Sequence, residues 1–416
     1  MVREMPVYRP FALVAFGGSV LVGTPLGMWL LAWLHLGAPA LSVEWLLLHA
    51  GVQVFGLFGT LIVGVAHHLL PRFTGRPVAA SALTPWLAAL LTAALALRVA
   101  GVVSGPAALG SAGALAQAVA FGLFAGWVWR SLDPPPQARL RRHLTASSAW
   151  LALACVLEVV LRTAALVDGR PSPDPAAMRA VHSIALLGGI IGWVTGVLLR
   201  AGPMFVAGWQ VPSPVITLVT RGPSLAAVLS AATLLAGPLT APALARLADV
   251  AALGAVAALV VSAGALRRVG RALPMLARSR EETRIFRVGI LSAVIGAVGA
   301  AALAAGAVAG LPSHAAPADA LRHLMTVGFL TSVVVAMTFR LIPVLEGTAL
   351  PWPRLRAVAF VALLGAIVLR SVQGLAAYGW PGLHAAVAVS GVLGWSALAA
   401  VTANLVAAML CPAEGT

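Results

Sequence analysis

Long apolar runs, broken at short intervals by clusters of Arg, Pro and Gly, set the pattern of this chain. Twelve such runs stand out, at 12–34, 44–70, 82–103, 107–129, 146–167, 180–202, 222–240, 243–266, 285–309, 320–343, 357–377 and 384–410. Each is long enough to cross roughly 30 Å of hydrocarbon as a helix of about 20 residues. Lipid offers no partner to an open backbone group, so helix is the conformation such runs must take. The Gly and Ala within them suit close helix packing. The pattern predicts an all-α fold, a polytopic bundle of twelve transmembrane helices that forms a single membrane domain over 1–416.

Composition strengthens this reading. Of the 416 residues 61% are hydrophobic and 9% charged, whereas a soluble domain carries about a quarter charged residues. The net charge of +15 would suggest nucleic acid in a soluble protein. Here the basic residues, all of them arginine, sit between the apolar runs as topology requires. The expected partner is therefore the lipid bilayer, and no nucleic acid. With the N-terminus inside, the inner loops collect Arg72, Arg76, Arg130, Arg139, Arg141, Arg142, Arg200, Arg221, Arg354 and Arg356, while the outer loops hold little beyond Arg170, Arg179 and Arg322. The positive-inside rule then puts both termini in the cytoplasm. The Arg-rich stretch 267–287 reads as a solvated connector at anionic headgroups. The apolar run behind Arg3 and Arg9 exceeds a signal-peptide core and reads as the first membrane helix. Cys155 and Cys411 lie in separate segments and form neither a disulfide framework nor a CxxC site.

Three segments resemble one another. One runs from His49 through Gly56 to Pro71-Arg72, one from His182 through Gly189 to Arg200 and Pro203, and one from His323 through Gly328 to Arg340 and Pro343. They fall on the second, sixth and tenth helices. This interval predicts three diverged four-helix repeats, at about 8–135, 140–270 and 284–412, and binding sites often lie between such repeats.

The histidines are the first candidates for chemistry. His49, His182 and His323 each lie near the outer start of an inward-running helix, at similar depth. Three imidazoles at one level can converge on a metal or a haem; singly, each is as well explained by a helix end facing headgroups. Ionisable groups inside membrane spans tend to be functional. His67 and His68 sit roughly 27 Å further along the second helix, at 1.5 Å per residue, too far to share that site. They read as interhelical or interfacial groups, or as a separate inner metal site. Glu158 and Arg162 form an i,i+4 pair that can neutralise itself in the membrane. Trp29, Trp33, Trp45, Trp127, Trp129, Trp352 and Trp380 fall near span ends and read as an interfacial belt. No nucleotide-binding loop, zincin motif or nucleophile elbow is visible.

Several of these residues also carry a family resemblance. Tyr8-Arg9-Pro10-Phe11, the stretch from His49 to Gly56 with Pro71-Arg72-Phe73-Thr74-Gly75-Arg76-Pro77 behind it, and His323-Leu324-Met325-Thr326-Val327-Gly328 resemble motifs of the NnrS family. Those are haem- and copper-containing membrane proteins linked to nitric oxide stress, distantly similar to haem-copper oxidase subunit I. The resemblance implies a bacterial inner-membrane protein that binds, senses or converts a small gaseous ligand such as nitric oxide, with a redox partner. It implies haem, with copper as a second metal. His49 and His323 would be axial ligands, with Arg98 and Arg370 meeting the haem propionates unless they snorkel to headgroups, and His182 left for a second metal or a ligand. Gly51 stands where the family usually has a second His, the seventh helix has no His pair, and the tenth has His323 alone. A complete oxidase-type copper site is therefore not expected. Two other readings suit the same helices: a secondary transporter or channel, and a haem electron-transfer or assembly subunit.

Overall fold

The computed structural model describes residues 6–74, 82–132, 138–204, 206, 209–237, 240–268, 280–311, 315–377 and 380–410. Twelve helices in it are long and apolar enough to cross a membrane: α1 Arg9–Leu36, α2 Val43–Thr74, α3 Leu83–Ser104, α4 Ala107–Ser131, α5 Arg139–Val167, α6 Pro175–Ala201, α7 Ser213–Ala232, α8 Ala241–Ser262, α9 Glu281–Val308, α10 Ala315–Glu346, α11 Leu355–Ala376 and α12 His384–Leu410. The protein is thus the multi-pass, all-helical membrane protein that the apolar runs predict. Turn chemistry ends several helices. Gly105 follows α3 at φ 96° and returns its N–H to the Gly101 carbonyl, and Gly347 closes α10 at φ 66°, conformations that glycine adopts without steric cost. Asp174 caps α6 by accepting the Ala177 N–H at 2.7 Å.

One span differs from its expected place. The seventh was expected at 222–240, beginning after Arg221, but α7 starts at Ser213 and carries both Arg221 and Pro223. Arg221 is exposed midway along α7, so the arginine did not mark a loop, its long side chain being able to carry the charge away from the apolar face. The Arg-rich connector lies outside the described residues over 269–279, as do Arg76 and Cys411.

The chain packs into two compact units. The first comprises Met1–Leu26, Leu41–Gly196 and Thr220–Ala248; the second comprises Gly27–Ala40, Val197–Val219 and Asp249–Thr416. In each unit the peripheral helices keep an apolar face outward, as lipid contact allows. The three His-bearing helices do not. Of the most apolar stretch of α2, α6 and α10, 67%, 78% and 61% is buried, against 22–39% in the other nine spans. These three are therefore the interior helices of their units.

The same three helices share a second feature. Each passes into a π-helical segment just after its histidine, at Val52–Gly59, Ile184–Ile190 and Leu324–Thr331. A fourth lies in α1, at Ser19–Gly23. Three of the four are closed by a threonine hydroxyl that donates to the carbonyl five residues back: Thr24 to Ser19 (2.5 Å), Thr60 to Phe55 (3.1 Å) and Thr331 to Thr326 (2.9 Å). At Ser19 and Phe55 the same carbonyl also accepts the threonine's own N–H, the i+5 bond of the π turn, so the hydroxyl adds a second donor. Such segments occur often at functional sites. Glycines let neighbours approach there: a Cβ on Gly59 would meet the Phe121 ring at 2.7 Å, and one on Gly328 would meet Ser292 at 2.8 Å.

Candidate functional site

In the first unit, His49 Nδ1 lies 2.8 Å from the carbonyl of Gly23, the residue that closes the π segment of α1. A carbonyl only accepts, so Nδ1 carries the proton and Nε2 carries the lone pair. A Cβ on Gly23 would come within 2.6 Å of Gln53 Nε2 and 2.9 Å of a Val52 methyl, so those side chains would have to shift. Ser19 donates to the other end of that amide, Gln53 Oε1, at 3.0 Å.

Two residues beyond His49, Gly51 has a specific neighbour. A Cβ there would stand 3.1 Å from Arg98 Nη1. Arg98, 4% exposed, grips Glu158 with both arms of its guanidinium, Nη1 to Oε1 at 2.8 Å and Nη2 to Oε2 at 2.7 Å. Arg162 Nε donates to the same Glu158 Oε1 at 2.8 Å. The i,i+4 pair expected from sequence is therefore present, within a buried Arg98–Glu158–Arg162 triad of net charge +1. Burial also settles the snorkelling alternative for Arg98, whose guanidinium stays in the interior. Its Nε is buried and has no partner.

His182 is buried, with its ring centroid 5.9 Å from that of Phe55 and within electrostatic reach of Glu158. Arg98 and Arg162 also line a cleft of about 710 Å³, with Glu44 and Arg170 among the other wall residues.

His67 lies apart from this cluster. Its ring is stacked between Trp127, 4.1 Å away, and Phe11, 5.8 Å away, and Nδ1–H donates to the Val63 carbonyl at 2.7 Å. Trp127 is consequently buried at 8% exposure, a correction to its place in the interfacial belt: an aromatic partner in the interior outweighed its position near a span end. Trp29, Trp33, Trp129, Trp352 and Trp380 are exposed as a belt requires.

In the second unit, His323 Nδ1 donates to the Asp319 carbonyl at 2.9 Å and lies 3.3 Å from the Asp319 carboxylate. The proton is again on Nδ1 and the lone pair on Nε2. Arg370, 7% exposed, holds Asp319 Oδ2 through Nη2 at 2.6 Å. The same Nη2 is 3.3 and 3.4 Å from the two ring nitrogens of His323, of which Nε2 is the one that can accept from it. Nε and Nη1 of Arg370 are buried and have no partner. Arg370 and Asp319 are also within electrostatic reach of His35, whose Nδ1 stands 2.7 Å from Nδ1 of His384.

Among the described residues, no group of three or more His, Cys, Asp or Glu side chains comes together at metal-binding spacing. What the two clusters share is an imidazole fixed as the Nδ1–H tautomer and an arginine bound to a buried or half-buried carboxylate. The first of these is the arrangement found around metal-binding histidines, where a second contact on Nδ1 sets ring orientation and makes Nε2 a better donor. The sequence reading did not single out Asp319, His35 or His384. The Asp-x-x-x-His spacing of 319 and 323 was available as a signal. For His35 and His384 the signal was the presence of an ionisable group at the end of an apolar span.

The NnrS family model, described as NnrS protein, matches residues 8–413. No curated protein matches the chain.

Proposed function

We propose, from the premise that this chain belongs to the NnrS family, that it is a haem-binding protein of a bacterial inner membrane which takes up a small gaseous ligand such as nitric oxide. In this reading both termini are cytoplasmic, and α2, α6 and α10 are the equivalent helices of three four-helix repeats. Their shared burial, histidine placement and π segments support that equivalence.

The observation that carries the proposal is the state of His49 and His323. Each ring is held by a protein acceptor on Nδ1, the contact that accompanies imidazole ligation through Nε2. In each unit the chain offers one imidazole of the kind that haem iron takes. The unpartnered Nε of Arg98 and the unpartnered Nε and Nη1 of Arg370 suit propionate carboxylates. When bound, haem would supply an iron centre able to exchange an electron with a redox partner or accept a diatomic ligand. The residues of this chain orient the ligand imidazoles, neutralise carboxylate charge and keep the site within buried helices. His182 is left for the incoming ligand or a second metal, copper being the candidate. Continuity of α2, α6 and α10 weighs against the unwound half-helices on which many secondary transporters build their sites.

The test is the optical spectrum of protein purified after haem-replete expression, oxidised and reduced, with and without nitric oxide. The proposal expects a Soret band that shifts with nitric oxide. Protein without a haem spectrum would refute it.

A further inference from the structure

The cleft of about 710 Å³ lies within the first unit, where α2 begins, α3 ends, α4 begins and α5 ends. Arg162 lines it. Nε of Arg162 is taken by Glu158, but Nη1 and Nη2 make no hydrogen bond to the described residues, and the side chain is 17% exposed. Glycines keep the space beside it open: a Cβ on Gly110 would stand 3.3 Å from Arg162 Nη1, and one on Gly101 would meet the Gly110 backbone nitrogen at 2.9 Å. Glu44 lines the same cleft, and its carboxylate accepts from the hydroxyls of Ser42 and Ser172 rather than from an arginine. Val43, Leu47, Val102 and Leu166 supply apolar wall. The Arg98–Glu158–Arg162 triad brings a charge of +1 to the cleft and Glu44 brings −1, while Arg170 is neutralised by Asp168 at 2.7 Å. The two opposite charges differ in depth. Arg162 lies five residues before the end of α5 and Glu44 one residue after the start of α2, or roughly 7–8 Å and 1–2 Å along their helices at 1.5 Å per residue.

We infer that this cleft binds one zwitterionic aminophospholipid, with its phosphodiester on Arg162 and its ammonium on Glu44. A phosphodiester carries one negative charge and two free oxygens, the pattern that the paired Nη1 and Nη2 donors of a guanidinium take bidentately. In such a headgroup the ammonium lies further from the acyl chains than the phosphate does. That is the order in depth of Arg162 and Glu44, the arginine inside and the carboxylate at the helix start. The ammonium donates N–H to a carboxylate that two hydroxyls already hold in place. An anionic lipid would instead bring a second negative charge to Glu44. The acyl chains have an apolar path to follow, since α3 and α5 bury only 22% and 28% of their most apolar stretches, and Val103 and Leu166 are 67% and 44% exposed at this end. The volume is in the range of clefts that enclose a small ligand, roughly 300–1,000 Å³. The inference uses Arg162 and Glu44, which have no part in the haem reading, and does not rest on it.

The test uses the full-length protein, delipidated in detergent and offered an equimolar mixture of phosphatidylethanolamine, phosphatidylglycerol and phosphatidylcholine with the same acyl chains. Native mass spectrometry then counts the lipid retained. Wild type is expected to retain one phosphatidylethanolamine, at least tenfold over the other two. Phosphatidylglycerol has no cation for Glu44, and the cation of phosphatidylcholine has no N–H. Arg162→Gln, which leaves the two-armed Arg98–Glu158 contact in place, is expected to lower that retention at least tenfold. Glu44→Gln is expected to abolish the preference over phosphatidylglycerol. Any haem spectrum should be the same in both variants and in wild type, which separates this outcome from that of the haem reading. Wild type retaining the three lipids equally, or preferring phosphatidylglycerol, would overturn the inference, and this ranking stands even if a variant fails to fold. Retention unchanged in both variants would overturn it as well. So would displacement of the retained lipid by millimolar phosphoethanolamine, which would make a soluble zwitterion the ligand.

Discussion

Replacement of Glu158 by Gln tests the first unit most directly. Glu158 is fully buried and accepts three charged hydrogen bonds, two from Arg98 and one from Arg162, at 2.7–2.8 Å. Gln keeps the shape but removes the only negative charge of the triad. Two guanidiniums, with side chains 5% and 17% exposed, are then left without a counter-charge. Removing one partner of a buried ion pair costs about 3–5 kcal/mol. At roughly 2–4 °C per kcal/mol for a body of this size, Tm should fall by about 6–20 °C. Thermal unfolding in detergent, followed by tryptophan fluorescence, measures this. The exposed pair of Arg170 and Asp168, 47% and 56% exposed, is the internal control. Asp168→Asn should change stability by less than about 1 kcal/mol. The double variant Arg98→Gln/Glu158→Gln should lose less than the sum of its two single variants, because groups in contact are coupled. A Glu158→Gln protein melting within about 2 °C of wild type would refute the reasoning, since a buried, uncompensated pair of guanidiniums cannot be that cheap.

Four further outcomes follow. His49→Ala or His323→Ala should abolish the Soret band under haem-replete expression, whereas His67→Ala, whose ring is stacked between Phe11 and Trp127, should retain it. Gly51→Leu should destabilise the first unit by displacing Arg98, which a Cβ alone already approaches to 3.1 Å; Gly51→Ala should cost much less, as thermal melts of the two would show. Thr60→Val and Thr331→Val each remove a hydroxyl donor from a π segment, and each should lower stability by about 0.5–1.5 kcal/mol. Asp319→Asn should leave His323 in place but shift the reduction potential of a bound haem, because the carboxylate beside its Nδ1 is replaced by a neutral amide; an unchanged potential would show that Asp319 does not act on the ligand.

The membrane architecture was legible in the sequence because it depends on local properties. Whether a run such as 384–410 spans a bilayer follows from its own length and apolarity, and that span came out residue for residue. The recurrence of His49, His182 and His323 was legible for the same reason, as a periodic mark on otherwise uniform helices. Contacts between helices had no such local signature. The expected Arg162–Glu158 pair lies within one turn and was read correctly, but its partner Arg98 comes from 60 residues away, and no spacing rule links α3 to α5. Arg98 was read toward haem propionates or headgroups, and its bidentate grip on Glu158 was not foreseen, because a sequence does not say which carboxylate a guanidinium will reach. Trp127 was placed at the interface from its position along the chain, while the tertiary structure buries it against His67. The start of α7 was set too late because Arg221 and Pro223 look like loop residues one by one. The π segments need a backbone whose hydrogen bonds can be traced; from the chain alone, Thr60 and Thr331 are ordinary small polar residues. The meeting of His35 with His384 is the extreme case, since only the packing of the first and last helices in one unit brings them together.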